Sequence, residues 1–444
     1  MDKAFYILTS YFYILKAMKT IKYPKQSEWQ EILKRPAMNV DSLESIVSSV
    51  LSDIKANGDT SVKKYTLQFD KIAVDNLLVT EAEFIEAEKN VSSMLKAAIQ
   101  LAKSNIEKFH IAQKEEVQII ETIEGVKCWR KSVAIEKVGL YIPGGSAPLF
   151  STILMLGVPA QLAGCKEIVL CTPPNGADAK INAAILYTAK LIGITKVFKI
   201  GGVQAIGAMA YGTESVPKVY KIFGPGNQYV TCAKQLINKS GVAIDMPAGP
   251  SEVAVLADET CVPAFVAADL LSQAEHGADS QVILVSENEK VIADVQLELQ
   301  KQLELLPRKE LAAKALNNST AILVKNNNEA IDLLNEYAPE HLIIACKNDE
   351  ELAQKVINAG SVFLGNYSCE SAGDYASGTN HTLPTNGYAK AYSGVSLDSF
   401  VKKITFQKLS KTGIQNIGNA IELMAAAEGL DAHKNAVTLR MEKE

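Results

Sequence analysis

Between residues 138 and 223 the chain repeats one pattern: an apolar run, a turn rich in glycine and proline, then a helical stretch. The strand-like runs cover 138–142, 167–171, 195–200 and 218–223, and the helical ones cover 149–162, 177–192 and 203–211. Strands separated in this way cannot pair as hairpins. Each connection crosses over, so a parallel open sheet with helices on its faces is expected. The strands end in Pro143-Gly144-Gly145-Ser146, the turn at 172–176, Gly201-Gly202 and Gly224-Pro225-Gly226-Asn227. Such turns let backbone amides and helix N-termini approach a phosphate, and ligands of open α/β sheets gather at the carboxyl ends of the strands. None of them matches G-x-G-x-x-G or the Walker pattern. Tight turns that need positive φ explain part of the glycine content by themselves.

The rest of the chain is too long to share one core: 444 residues imply two or more domains. Hydrophobic residues at 48% and charged ones at 21% describe a soluble globular protein. A net charge of -5 argues against nucleic acid or an anionic membrane as partner. Seven cysteines without a CxxC pair fit reduced thiols in the cytoplasm. Residues 1–15 are apolar but too short and interrupted to span a bilayer, and they lack a strongly basic start and a small-x-small cleavage site. They read as an extension ahead of a working protein that starts near Met18, in preference to a signal peptide.

Residues 25–115 read as mainly helical scaffold. Asp41 to Glu44 resembles a capping box, Gly58-Asp59 breaks the helix that follows, and Thr80 to Glu83 opens a second helical region reaching about 113. Residues 117–123 and 126–133, joined across Glu124-Gly125, read as a hairpin.

In the second half, a helix opening at Pro263 carries the stripe Phe265, Val266, Leu270 and Leu271 and stops at Gly277, ahead of a buried strand at 281–286. Gln273 and His276 are three residues apart and share a face in its last turn, where the helix dipole favours a cation. They offer half of a metal site, although a polar surface helix with a satisfied histidine has the same spacing. The turn at 248–252 leads into a strand at 253–257. A helix at 328–338 ends at Pro339, and Glu340-His341 then precedes the strand 342–346, so two helix-end junctions with an acid and a histidine are expected at one edge of a second α/β domain. A polar loop at 365–384 holds Asp374 and His381, and a helical tail from 414 holds Glu428 and His433. Four of the five histidines lie in these late segments. Together with Gln273, Asp374, Glu340 and Glu428 they form a set of oxygen and imidazole donors suited to Zn²⁺ or another divalent ion in an open catalytic site. Spacing alone does not say which histidines are ligands.

Six runs now come into view together: 141–148, 223–230, 248–252, 271–277, 338–342 and 378–384. In order and in wording they resemble the histidinol dehydrogenase family, and the resemblance extends from about Met18 to the C-terminus. It implies two related, incomplete Rossmann-like (aldehyde-dehydrogenase-like) α/β domains with parallel sheets, plus small N- and C-terminal helical extensions. The implied division is an arm at 1–36, a first domain from 37–140 and 252–395 carrying most of the site, an NAD-binding domain at 141–251, and a tail at 396–444 reaching the partner subunit. The activity it implies is NAD-dependent oxidation of L-histidinol through L-histidinaldehyde to L-histidine by a cytoplasmic homodimer with shared sites and one zinc per subunit. By position, Gln273, His276, Asp374 and His433 would be the zinc ligands, and Glu340 and His341 the acid–base pair. Ser251, His381 and Glu428, together with these residues, would line the substrate pocket, and Tyr141, Gln204 and Asn227 would contact NAD.

The residue types suit that chemistry. Removing a hydride from an alcohol calls for a neutral base such as His341, and attack of water on the aldehyde calls for a second base such as Glu340. A zinc ion that holds an imidazole substrate is a template. A thioester route through Cys128, Cys165, Cys171 or Cys232 is the rival mechanism, but none of these has an evident base beside it. A zinc-dependent imidazole-binding protein without turnover and a zinc hydrolase are the rival functions.

Overall fold

The computed structural model describes residues 18–36, 40–144, 148–176, 178–247 and 249–442. The extension at 1–17, Gly145 and Ser146 of the first turn, Ala177 and Ala248 lie outside the described residues.

Two parallel sheets organise the chain. The five-stranded sheet runs, from edge to edge, Lys196–Lys199, Glu167–Thr172, Lys137–Tyr141, Lys221–Phe223 and Ala243–Ile244. The six-stranded sheet runs Lys19–Lys22, Thr320–Leu323, Gln281–Ser286, Glu252–Ala257, His341–Ala345 and Ser361–Leu364. Without the added edge strand Lys19–Lys22, both sheets have the same winding: the first strand is central, the second and third lie to one side, and the fourth and fifth to the other. This is the doubly wound order, and its switch point falls between the first and fourth strands.

The strands form where β-branched and aliphatic runs are bounded by turn residues, and each sheet is buried on both faces. One face of the five-stranded sheet packs Val138, Leu140 and Leu170 against Ile153, Leu186, Phe84 and Ile106. The other packs Tyr141, Val169 and Phe198 against Ile206, Val230, Val47 and Ile54. The six-stranded sheet is covered by Leu270, Val295 and Ala315 on one side and by Ile331, Leu334 and Trp29 on the other.

The helices Val40–Tyr65, Glu81–Asn90 and Ser93–Ile111 therefore cover the five-stranded sheet, whereas the expected division grouped 37–140 with the other one. An amphipathic stripe requires that a helix be buried, and it does not select the sheet. Gly58, at φ 50°, kinks the first of these helices where a break was expected. That helix is described from Val40, so the expected Asp41 lies within it. The second region is two helices, capped by Thr80 and Ser92. The expected hairpin, Ile119–Ile123 with Val126–Ala134, is joined by Val401–Leu409 into a three-stranded antiparallel sheet. No helix among the described residues is long and apolar enough to cross a membrane.

Candidate active site

A cleft of about 400 Å³ lies where the carboxyl ends of the five-stranded sheet face the amino ends of two strands of the six-stranded one. Tyr141, Gly224 and Asn227 line it from the first sheet, and Ser251, His276, Glu340 and His381 from the second. A helix that follows a strand runs back along the sheet, so Pro263–Ala274 ends at the edge where Glu252–Ala257 and His341–Ala345 begin. Both expected junctions meet there. The helix stops at Ala274, earlier than expected, and His276 is carried by a tightened turn in which its N–H donates to the Gln273 carbonyl at 3.2 Å.

His341 and Gln273 are buried at this edge. Nδ1 of His341 lies 2.9 Å from Gln273 Nε2 and 3.2 Å from the Glu252 carbonyl oxygen. When Nδ1–H donates to that carbonyl, the lone pair sits on Nε2, which has no hydrogen-bond partner among the described residues and lies 3.7 Å from Asp374 Oδ1. The Glu340 carboxylate accepts the Glu252 N–H at 2.9 Å and lies 3.7 Å from His341 Nδ1. Burial pushes Glu340 up to about 7. Burial alone would lower His341, but Glu340, Glu370 and Asp374 outweigh it and raise the ring to about 10. Glu370 and Asp374 also face His276 across a space suited to a cation, and a divalent ion there would oppose their charge and return the ring toward the neutral base expected from its type.

Donor atoms of His276, Glu370 and Asp374 lie within 4.8 Å of one another. Oε1 of Gln273 and Oε2 of Glu370 are buried without a partner among the described residues. Orphaned buried oxygens are costly unless something satisfies them, and an imidazole–oxygen donor set without thiolate suits zinc. The residues thus fit a divalent ion. Glu370 has no counterpart among the expected site residues. It lies on the short helix Glu370–Tyr375, inside the segment read as a polar loop, and burial pushes its carboxyl up to about 8. His381 is held by Thr152 Oγ1 at 3.1 Å on Nε2 and by the Asp374 carbonyl at 2.9 Å on Nδ1.

Glu428 and His433 stand apart from this group. They are exposed on the helical hairpin Lys411–Ala427 and Asp431–Met441, which is tied to the Glu124 carbonyl by Asn416 at 3.0 Å. Within one chain neither joins the cluster.

On the opposite wall, Tyr141 Oη accepts the Gly202 N–H at 3.0 Å, at the start of the helix Gly202–Tyr211. Gln204, in the first turn, is fully buried, donates to Asp70 at 3.0 Å and keeps Oε1 without a partner among the described residues. Asn227 caps the helix Gln228–Asn238 by accepting from Tyr229 and Val230 N–H. Between them, Gly224 adopts φ 129°. Its N–H donates to Asp245 Oδ2 at 2.8 Å and its carbonyl accepts Lys234 Nζ at 2.9 Å, while Lys234 and Asp245 also form a buried ion pair. Two opposite charges thus grip both polar groups of one glycine peptide. This grip carries no local sequence signal.

Comparison with known proteins bears on the same residues. Residues 33–441 match the family model described as histidinol dehydrogenase. A histidinol dehydrogenase of Bacteroides fragilis is 63% identical over 426 residues, 96% of this chain and 99% of the relative. One from Campylobacter jejuni is 52% identical over 430 residues, with the same shares covered. The crystal structure of histidinol dehydrogenase from Elizabethkingia anophelis matches with a TM-score of 0.95 at 59% identity, covering 96% of this chain and 99% of that one.

Proposed function

The chain belongs to the histidinol dehydrogenase family, and on that premise we propose that it oxidises L-histidinol through L-histidinaldehyde to L-histidine, the end of histidine biosynthesis, using NAD⁺ and one zinc ion per subunit. The observation that carries the reading is the buried Glu340–His341 pair beside the orphaned Gln273 Oε1, at the mouth of a cleft whose far wall is a glycine turn.

Gln273, His276 and Asp374 would hold the zinc, which supplies a fixed point for the imidazole and amine of the substrate. Bound NAD⁺ would accept one hydride in each oxidation, and its phosphates suit the helix N-termini that follow the turns at Gly202 and Gly224. His341 Nε2 takes the hydroxyl proton of the alcohol as the hydride leaves, giving the aldehyde. A proton on Nδ1 can be held by the Glu252 carbonyl at 3.2 Å, and Nε2 is then the free base. Glu340, poised at about 7, removes a proton from the water that adds to the aldehyde. The hydrate loses a second hydride and a proton, and the acid formed ionises. Ser251 and His381 contact the substrate from the cleft wall.

The exposed Glu428 and His433 support an obligate homodimer in which each tail completes the site of the other subunit. Mixing Gln273→Ala chains with His433→Ala chains should recover part of the wild-type activity, and none at any ratio would remove the shared site. All seven cysteines are free, and burial pushes the Cys165 thiol up to about 11 and raises Cys171 further, which disfavours the thioester route. Free thiols also suit a cytoplasmic enzyme.

The direct test is NADH absorbance at 340 nm with purified protein, L-histidinol and NAD⁺. NADH accumulating at about twice the L-histidine formed supports the reading. Tight binding of L-histidinol without NADH would replace it with an imidazole-binding protein.

A further inference from the structure

Glu252 is buried, with its side chain 2% exposed, and opens the central strand of the six-stranded sheet. Its peptide groups serve the site directly. The N–H donates to Glu340 Oε2 at 2.9 Å, and the carbonyl faces His341 Nδ1 at 3.2 Å and Gln273 Nε2 at 3.4 Å. A residue at a strand end lies where the ladder stops, so backbone pairing holds it less firmly than the residues within.

What holds it instead comes from the other end of the chain. Arg35, in the segment before the first long helix, donates from Nε to Glu252 Oε1 at 2.5 Å and from an Nη to Oε2 at 2.9 Å, a bidentate pair. The same guanidinium donates to the Tyr337 carbonyl at 2.7 Å and lies 4.1 Å from the centre of the Tyr337 ring. Tyr337 ends the helix Asn327–Tyr337 and leads through Ala338, at φ 52°, and Pro339 into Glu340. One arginine therefore fixes the approaches to both strands that carry the site. The Asn386 N–H completes the Glu252 carboxylate at 2.8 Å.

We propose that Arg35 and Glu252 are positioning residues for the oxidation: the pair sets the peptide at 252 against which Glu340 and His341 are oriented. Neither side chain touches the substrate. A buried ion pair adds little net stability over an apolar pair of the same shape, so its use lies in geometry that apolar packing does not dictate. The inference rests on the acid–base reading of Glu340 and His341.

The test measures kcat, KM for L-histidinol, bound zinc and Tm in Arg35→Lys, Arg35→Met and the double variant Arg35→Met/Glu252→Gln, with His341→Asn alongside. The double variant leaves no unpaired buried charge and keeps the experiment decisive where Arg35→Met does not fold. A misplacement on the order of 1 Å costs about 10²-fold in rate. Turnover per bound zinc should fall at least ~10-fold in the double variant, with KM and zinc content within ~2-fold, and Arg35→Lys should recover part of it. A purely structural pair would lower Tm and leave kcat per bound zinc unchanged in both variants, which would overturn the inference. If His341→Asn also keeps full turnover, the acid–base reading itself fails; if it loses turnover while the Arg35 variants keep theirs, only the positioning role fails.

Discussion

Replacing Gly224 with alanine tests whether the glycine turn on the far wall of the cleft holds the dinucleotide. At φ 129° an added Cβ would lie 2.0 Å from the Tyr141 carbonyl oxygen and 2.9 Å from its carbonyl carbon, both backbone atoms of the adjacent strand. Contacts under 3.0 Å are not tolerated, so the turn must retreat by at least about 1 Å. Retreat pulls against the Lys234 and Asp245 bonds that grip this peptide. Backbone strain of this kind amounts to ~1–3 kcal/mol. If about 2–3 kcal/mol of it appears as lost dinucleotide affinity, KM for NAD⁺ rises roughly 30- to 160-fold. The residues proposed to hold zinc belong to the other sheet, so KM for L-histidinol and bound zinc should stay near wild type. Steady-state kinetics with either substrate varied, together with NADH fluorescence titration, measures both effects. A folded Gly224→Ala protein with wild-type KM for NAD⁺ would refute the assignment of this turn.

Further outcomes follow from other parts of the molecule. At neutral pH, N-ethylmaleimide should label the exposed Cys369 and the half-buried Cys128 and spare the buried thiols. Cys171→Ala, beside Tyr141 in the sheet register, should keep full turnover, and its inactivation would revive the thioester route. Glu83 is paired with Lys199 at 2.5 Å; burial raises its carboxyl, but Lys199 and the Thr80 cap outweigh that and hold it below the usual range. Its folded pKa is depressed, so the stability it contributes is present above the unfolded pKa of ~4.3 and is lost as pH falls. Lys199→Met should therefore lower Tm at pH 7, by about 1 kcal/mol in stability, with the gap narrowing toward pH 3; a gap that widens in acid would contradict the pairing.

Much of this site was legible in the sequence because its segments carry local signals. The strand Glu167–Thr172 is a β-branched and aliphatic run closed by Pro173, and Gln273 with His276 sits at a helix end marked by Gly277. The edge strand Lys19–Lys22 had no such mark. It is short and mostly polar, and it becomes a strand through pairing with Thr320–Leu323, three hundred residues away. The helix Glu370–Tyr375 was hidden for another reason: Glu370 and Asp374 spend its inner face on polar groups, so no apolar stripe betrays it. Glu370, Arg35 and Glu252 matter through burial and long-range partners, and neither property is visible in residue type or spacing. For the same reason the stripe on the helix Val40–Tyr65 could not reveal which sheet it covers.

The central claim is that Glu340 and His341 carry out the chemistry while Gln273, His276 and Asp374 hold the metal. Single-turnover NADH formation by His341→Asn, with zinc measured on the same sample, tests it most directly. The account predicts a loss of at least ~10²-fold in rate with zinc still bound. Near wild-type turnover in that variant, or loss of turnover only in step with loss of zinc, would contradict it.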